Sequence, residues 1–180
     1  MKGVKFREDK KGQVWIETVI YLLIAFLMIG MVLSFVRPKI EELKDKSIIE
    51  QSVEILNDIE STIITMGGEG NKRLLELGIK KGSFYFDCEN ETISFEIESL
   101  YVYTEPGEKV QIGNIVAETK TRTRTNLVVL TSNYSGNYNI TYNGKEDGKL
   151  LTKSSVPYKL VLSNQGEDAL NKVVINIQLG

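Results

Sequence analysis

The chain has 180 residues, with 22 Lys+Arg against 24 Asp+Glu and a formal charge of −2. That balance excludes a strongly basic nucleic-acid-binding protein, and a 42% hydrophobic content excludes a disordered chain. With no His and one Cys, an imidazole-based catalytic triad, an internal disulfide and a Cys/His zinc site are also excluded.

The charge is unevenly spread. Residues 1–12 carry Lys2, Lys5, Arg7, Lys10 and Lys11 against Glu8 and Asp9, a net of +3. The remainder carries −5. A basic head and an acidic body point to two environments. Thr18 to Val36 (TVIYLLIAFLMIGMVLSFV) holds no charge over 19 residues. As a helix at about 1.5 Å per residue it matches a bilayer core of about 30 Å. Only Thr18, Tyr21 and Ser34 interrupt the run, and they form no polar face. The segment is expected to cross a membrane, basic head inside and acidic body outside. A cleaved secretory signal is the rival, but the run is long and ends in Ser34-Phe35-Val36-Arg37-Pro38 with no small-residue cleavage site.

Ile40 to Met66 continues as an amphipathic helix. Ile49, Val53, Leu56, Ile59 and Ile63 recur at helical spacing, with Glu41, Glu42, Asp45, Glu50, Glu54, Asp58 and Glu60 mostly off that stripe. Pro38 is expected to kink or interrupt the join, and Gly67-Gly68 to end the helix.

The junction Lys10-Lys11-Gly12-Gln13-Val14-Trp15-Ile16-Glu17, followed by the apolar run, resembles the class III signal peptide of archaeal type IV pilins. In that family a prepilin peptidase cuts after Gly on the cytoplasmic side, and the helix stays on the mature protein. The resemblance implies cleavage between Gly12 and Gln13, with Gln13 at the first mature position and Glu17 at the fifth. The family often has Ser at the third position and Leu at the ninth, where this chain has Trp15 and Tyr21. The likeness covers about residues 8–66. Segment 82–93 also resembles the first hairpin of some archaeal pilin-like proteins.

Glu17 has a physical reading of its own. A carboxylate in an apolar helix costs about 2.5–3.5 kcal/mol at the bilayer centre on insertion scales, so it calls for a cation. A Gln13 α-amino group, freed by cleavage and offered by the same or a neighbouring chain, would supply one. The plainer alternative is a carboxylate favoured by a helix N-terminus.

Residues 67–81 are expected to be a linker with a short helix or turn over 71–81. From Gly82 the period becomes two. Phe84, Phe86 and Cys88, then Ile93, Phe95 and Ile97, predict a hairpin about Glu89-Asn90-Glu91. Further strands are expected at 100–104, 109–117, 119–124, 126–131, 137–142, 149–153, 156–163 and 172–179, with turns at Glu105-Pro106-Gly107, Ser135-Gly136-Asn137, Asn143-Gly144 and Asn164-Gln165-Gly166. The expected fold is α+β: a long N-terminal helix, membrane half then amphipathic half, followed by an antiparallel β-sandwich or barrel over 82–180.

Lys120, Arg122 and Arg124 alternate with Thr, which reads as a charged edge strand or as an anion or subunit contact. Asn90, Asn133 and Asn139 head N-x-Ser/Thr sequons and are candidate N-glycosylation sites. The Asn-, Tyr- and Gly-rich stretch 132–148 suits carbohydrate contacts or plain solvation. Cys88, in register with Phe84 and Phe86, reads as a buried inert thiol.

No catalytic residue, cofactor or metal site is expected. The leading functional expectation is a structural subunit of an archaeal type IV pilus-like filament that serves adhesion. It would polymerise through residues 13–66 and sit in the cell membrane before assembly and in an extracellular filament afterwards. Its partners would be the membrane, a prepilin peptidase, other copies or related pilins, and host or surface glycans. The alternative is a single-pass anchored extracellular β-sandwich binding domain that does not polymerise. An anchored hydrolase using an Asp/Glu pair is third, since no pair stands out.

Overall fold

The computed structural model describes the backbone from Lys10 and side chains from Val14, through Gly180. The leader 1–12 and the Gly12–Gln13 cleavage site therefore lie outside the residues whose side chains are described. The chain divides into two compact units, one ending at Glu41 and one covering Glu42–Gly180. A single helix, α1 (Lys10–Thr65), runs through the division. Pro38 lies inside it, so the expected interruption does not occur. A proline removes one i→i−4 bond and crowds the preceding turn, and the helix nonetheless continues on both sides of it. Helix ends at Thr65, just before Gly67-Gly68.

In the first unit α1 is apolar and exposed. Val14, Trp15, Leu22, Phe26, Met31 and Phe35 are among the large apolar side chains left in the open. The helix is long and apolar enough to cross a membrane.

The second unit joins the rest of α1 to ten strands: β1 (Lys72–Leu77), β2 (Ser83–Asp87), β3 (Thr92–Ser99), β4 (Lys109–Ile112), β5 (Ile115–Thr121), β6 (Asn126–Asn133), β7 (Tyr138–Tyr142), β8 (Lys149–Thr152), β9 (Tyr158–Glu167) and β10 (Val173–Leu179). They form a four-stranded sheet, β1-β9-β10-β7, and a six-stranded sheet, β4-β5-β6-β3-β2-β8. Every pairing is antiparallel except β10 with β7. The layout is the expected α+β, with one parallel pair in an otherwise antiparallel design.

Alternation sets the core. In the larger sheet Phe84 pairs with Phe95, and Phe95 with Leu130, which pairs with Ala117. All four are buried, because residues paired across strands share a face. The smaller sheet contributes Ile140, Leu160, Leu162, Ile175 and Ile177. Ile49, Leu56, Ile59 and Ile63 of α1 join the same cluster, each 2% exposed or less, with Val53 half-buried against it. The amphipathic stripe thus completes the β-domain's own core.

Asn164-Gln165-Gly166 is not a turn between strands but lies inside β9, which runs on to Glu167, and four further sequence expectations need correction. Residues 72–77 are strand β1, not a helix or turn. Their Leu, Lys, Arg and Glu are good helix formers, but such preferences are readily overridden by tertiary pairing, and six residue pairs with β9 decide the outcome. Residues 100–104 form no strand. Their amides are taken by side chains: Leu100 N–H by Asp45 (2.9 Å), Tyr101 N–H by Ser99 Oγ (2.8 Å) and Thr104 N–H by Thr119 Oγ1 (2.9 Å). Backbone groups satisfied this way have no need of a ladder. The expected strand 109–117 is two, β4 and β5, because Gly113 (φ +63°) and Asn114 make a two-residue turn. Finally, the Lys120–Arg124 stretch is not an edge strand. β5 lies between β4 and β6 and stops at Thr121, and Arg122 Nη1 meets Glu98 Oε1 at 2.7 Å.

Candidate functional site

Glu17 sits exposed on the apolar helix with no ion-pair partner among the described residues. Its neighbour Thr18 turns its hydroxyl back onto the Val14 carbonyl at 2.9 Å, so that polar side chain serves its own helix. What the first unit presents is a cylinder of apolar side chains with a single acid near its start. Lipid or other apolar helices match such a surface, and water does not.

The second unit holds α1 through a contact the stripe does not explain. Asp45 is buried, its side chain 4% exposed, yet its carboxylate accepts from Lys81 Nζ and from Leu100 N–H. Lys81 stays half in water, which limits the cost of removing charge from solvent. Sequence reasoning placed Asp45 off the apolar stripe. The signal was present: Asp45, Ile49, Ser52, Leu56, Ile59, Ile63 and Met66 are spaced alternately by four and three residues, and all are buried. Two polar members of an otherwise apolar seam mark a designed contact. Ser52 answers its burial by donating to the Ile48 carbonyl at 2.9 Å.

The three sequons differ in the state of the amide nitrogen that a glycan would take. Asn90 is exposed in the β2–β3 turn, with Nδ2 on Asp87 Oδ2 at 2.8 Å. Asn139 lies within β7, half-buried, with Nδ2 on Asp168 Oδ2 at 3.3 Å. Asp168 is itself held below the usual carboxylate range, chiefly by the Lys172 N–H, then by the amides of Leu170 and Asn139 and the Lys172 charge. Asn133 ends β6, exposed. Its Oδ1 accepts from Ser135 N–H at 2.8 Å, and its Nδ2 has no hydrogen bond among the described residues. It offers the most accessible acceptor.

Cys88 is buried and unpaired with any other Cys. Burial first, then the Asp87, Asp147 and Glu146 carboxylates, pushes its thiol up to about 11. It is therefore protonated and unreactive at neutral pH. Among the described residues there is no cluster of three or more Cys, Asp or Glu able to hold a metal.

The remainder of the 132–148 stretch turns back on itself. Asn143 (φ +51°) and Gly144 (φ +73°) form the tight turn expected there, closed by Tyr142 and Lys145 exchanging backbone bonds of 2.8 and 3.0 Å. Comparison with protein-family models, curated proteins and solved structures finds no match to this chain. The functional reading rests on its own residues.

Proposed function

We propose that this chain is a membrane-inserted structural subunit of an archaeal type IV pilus-like surface filament. It polymerises through its N-terminal helix and displays the β-domain for adhesion. The observation that carries this reading is the single helix α1. Its first part is apolar on all sides and exposed, and its second part is built into the core of the β-domain. A plain anchor needs only a span long enough for the bilayer. A filament subunit also needs a folded domain to display, and the second part of α1, with its buried stripe and Asp45, belongs to the core of that domain. The basic leader ending at Gly12, with Gln13 and Glu17 after it, supports the same assignment by resemblance. Exposed Asn133 and Asn90 suit glycosylation of a domain displayed outside the cell.

Isolation of the surface-exposed form from its native host tests this reading. N-terminal sequencing is expected to begin at Gln13 or its cyclised derivative, and electron microscopy of sheared material is expected to show filaments containing the chain. An N-terminus at Met1 with no filament would leave the anchored monomer as the correct reading.

A further inference from the structure

We propose that the groove between the last turns of α1 and the β6–β7 turn is a binding site for a neutral saccharide. This concerns what the displayed domain binds, and it deepens the adhesive part of the function proposed above. The groove lies wholly within the second unit and is walled by Glu60, Asn114, Asn133, Tyr134, Asn137 and Tyr138.

The chemistry of the wall chooses the ligand. Tyr138 is half-exposed and held edge-on by buried Tyr134, with ring centroids 6.4 Å apart and an interplanar angle of 77°. It provides an apolar plate on which a pyranose face can lie. Three amides surround that plate. Asn114 Nδ2 bonds the Asn133 carbonyl at 3.3 Å, and Asn133 Oδ1 is taken by Ser135 N–H. The Asn137 side-chain amide and the Glu60 carboxylate make no hydrogen bond or ion pair among the described residues. An amide offers both a donor and an acceptor, and a carboxylate accepts. Adjacent sugar hydroxyls require that combination. The buried hydroxyls of Tyr134 and Ser132 face each other behind this wall and have no other hydrogen-bond partner among the described residues. Burial, then the Glu60 charge, pushes the Tyr134 phenol up, which keeps it a donor.

Other ligand classes fit less well. The only formal charge in the wall is the Glu60 carboxylate, so phosphate, sulfate and acidic sugars would be repelled. One carboxylate among neutral amides falls short of the six to eight oxygens that Ca²⁺ takes, several of them usually carboxylate.

The saccharide has two sources: a glycan on another copy of this chain, or a foreign surface. The full chain is to be made in a host that does not glycosylate it and placed in phosphatidylcholine nanodiscs free of sugar detergents. It is then titrated, with saturation-transfer NMR as readout, against N,N′-diacetylchitobiose, mannotriose and lactose, with sialyllactose as the acidic control. At least one neutral sugar is expected to bind, and sialyllactose more weakly than lactose. Asn137→Ala, which removes an exposed side chain with no internal partner, is expected to weaken binding about fivefold or more. Tyr138→Ala is expected to weaken it about tenfold, and Tyr138→Phe to retain most of it. Tyr85→Ala, on another strand of the domain, is expected to change nothing. Protein from the native host distinguishes the sources. Binding that appears only after enzymatic deglycosylation points to glycans of the chain itself, and equal binding by both preparations points to a foreign surface. No binding by any neutral sugar at millimolar concentration, equal binding of sialyllactose and lactose, or affinities unchanged in both Asn137→Ala and Tyr138→Ala would overturn the proposal. The measurement uses unassembled subunits, so a failure of the filament reading would leave its result intact.

Discussion

At the scale of single residues, burial decides which polar groups matter. Cys88 shows how. A thiol whose folded pKa is about 11, against an ordinary 9.0, holds its proton more tightly folded than unfolded. The folded state thus binds more protons between those values. The stabilisation is full below pH 9 and is lost as pH rises through 11. Two outcomes are expected. In the folded protein at pH 8 an aromatic disulfide reagent leaves Cys88 unmodified, and added urea exposes it to complete reaction. Between pH 9 and 11 melting temperature falls more steeply in the natural chain than in Cys88→Ala, which isolates the thiol from the Lys and Tyr groups that titrate in the same range. Rapid stoichiometric labelling of folded protein would show that the thiol is accessible. Asp45 teaches the complementary lesson. Its position was written in the four-three spacing of the seam, but a carboxylate in an apolar register is discounted until its partners are known. Those partners, Lys81 and the Leu100 amide, lie 36 and 55 residues away, where no local pattern reaches.

At the scale of elements, α1 has two parts with different surroundings, exposed and apolar in the first unit and built into the core in the second. Within the second unit, Ile49, Leu56, Ile59 and Ile63 are almost fully buried. Each such burial is worth about 1.5–3 kcal/mol. Together the four match the net stability of about 5–15 kcal/mol typical of a domain. The β-strands alone should therefore not hold. Residues 42–180, expressed without the apolar half-helix, are expected to be soluble, with cooperative thermal unfolding. Residues 71–180 are expected to aggregate or to melt without cooperativity, and Leu56→Ala in the longer fragment to cost about 2–5 kcal/mol. Equal behaviour of the two fragments in circular-dichroism melts would mean that the stripe does not belong to the domain core. The same scale explains what the sequence could disclose. The apolar run, the amphipathic stripe, the β2–β3 hairpin and the Asn143-Gly144 turn each declare themselves within a single stretch of 19 residues or fewer. β1 did not, because its leucines fit either period and its partner β9 lies more than eighty residues on. The failed strand at 100–104 is also non-local, since Asp45 and Thr119 capture its amides. For the candidate sites, the sequons were plain as motifs. Exposure and the hydrogen bonds of each Asn amide separate Asn133 from Asn139, and only the fold brings Glu60 beside Tyr134 and Tyr138.

At the scale of the whole molecule, the proposed filament raises the question of what would give a bundle of such helices its register. Apolar side chains in the Val14–Val36 stretch pack against lipid or one another with little preference for axial position. Glu17 is the only acidic residue between Gln13 and Val36. Once in a low-dielectric bundle it must find a cation or remain a costly unpaired charge. If cleavage after Gly12 frees the Gln13 α-amino group, the first cation available is that amine, on the same chain or a neighbour. Correct axial position then pairs the charges, and misaligned positions leave them apart. Glu17→Leu is expected to leave expression, membrane insertion and the Gln13 N-terminus essentially unchanged and to remove filaments, or reduce their number at least about tenfold, by electron microscopy of the native host. In an anchored monomer the same substitution removes a charge that lipid disfavours, so its membrane level should be equal or slightly higher, with no other change. Glu17→Asp tests the charge apart from its reach and is expected to restore filaments in part. Filaments of normal number and length from the Glu17→Leu chain, with cleavage confirmed by N-terminal sequencing, would show that register comes from packing alone and that the pairing plays no part.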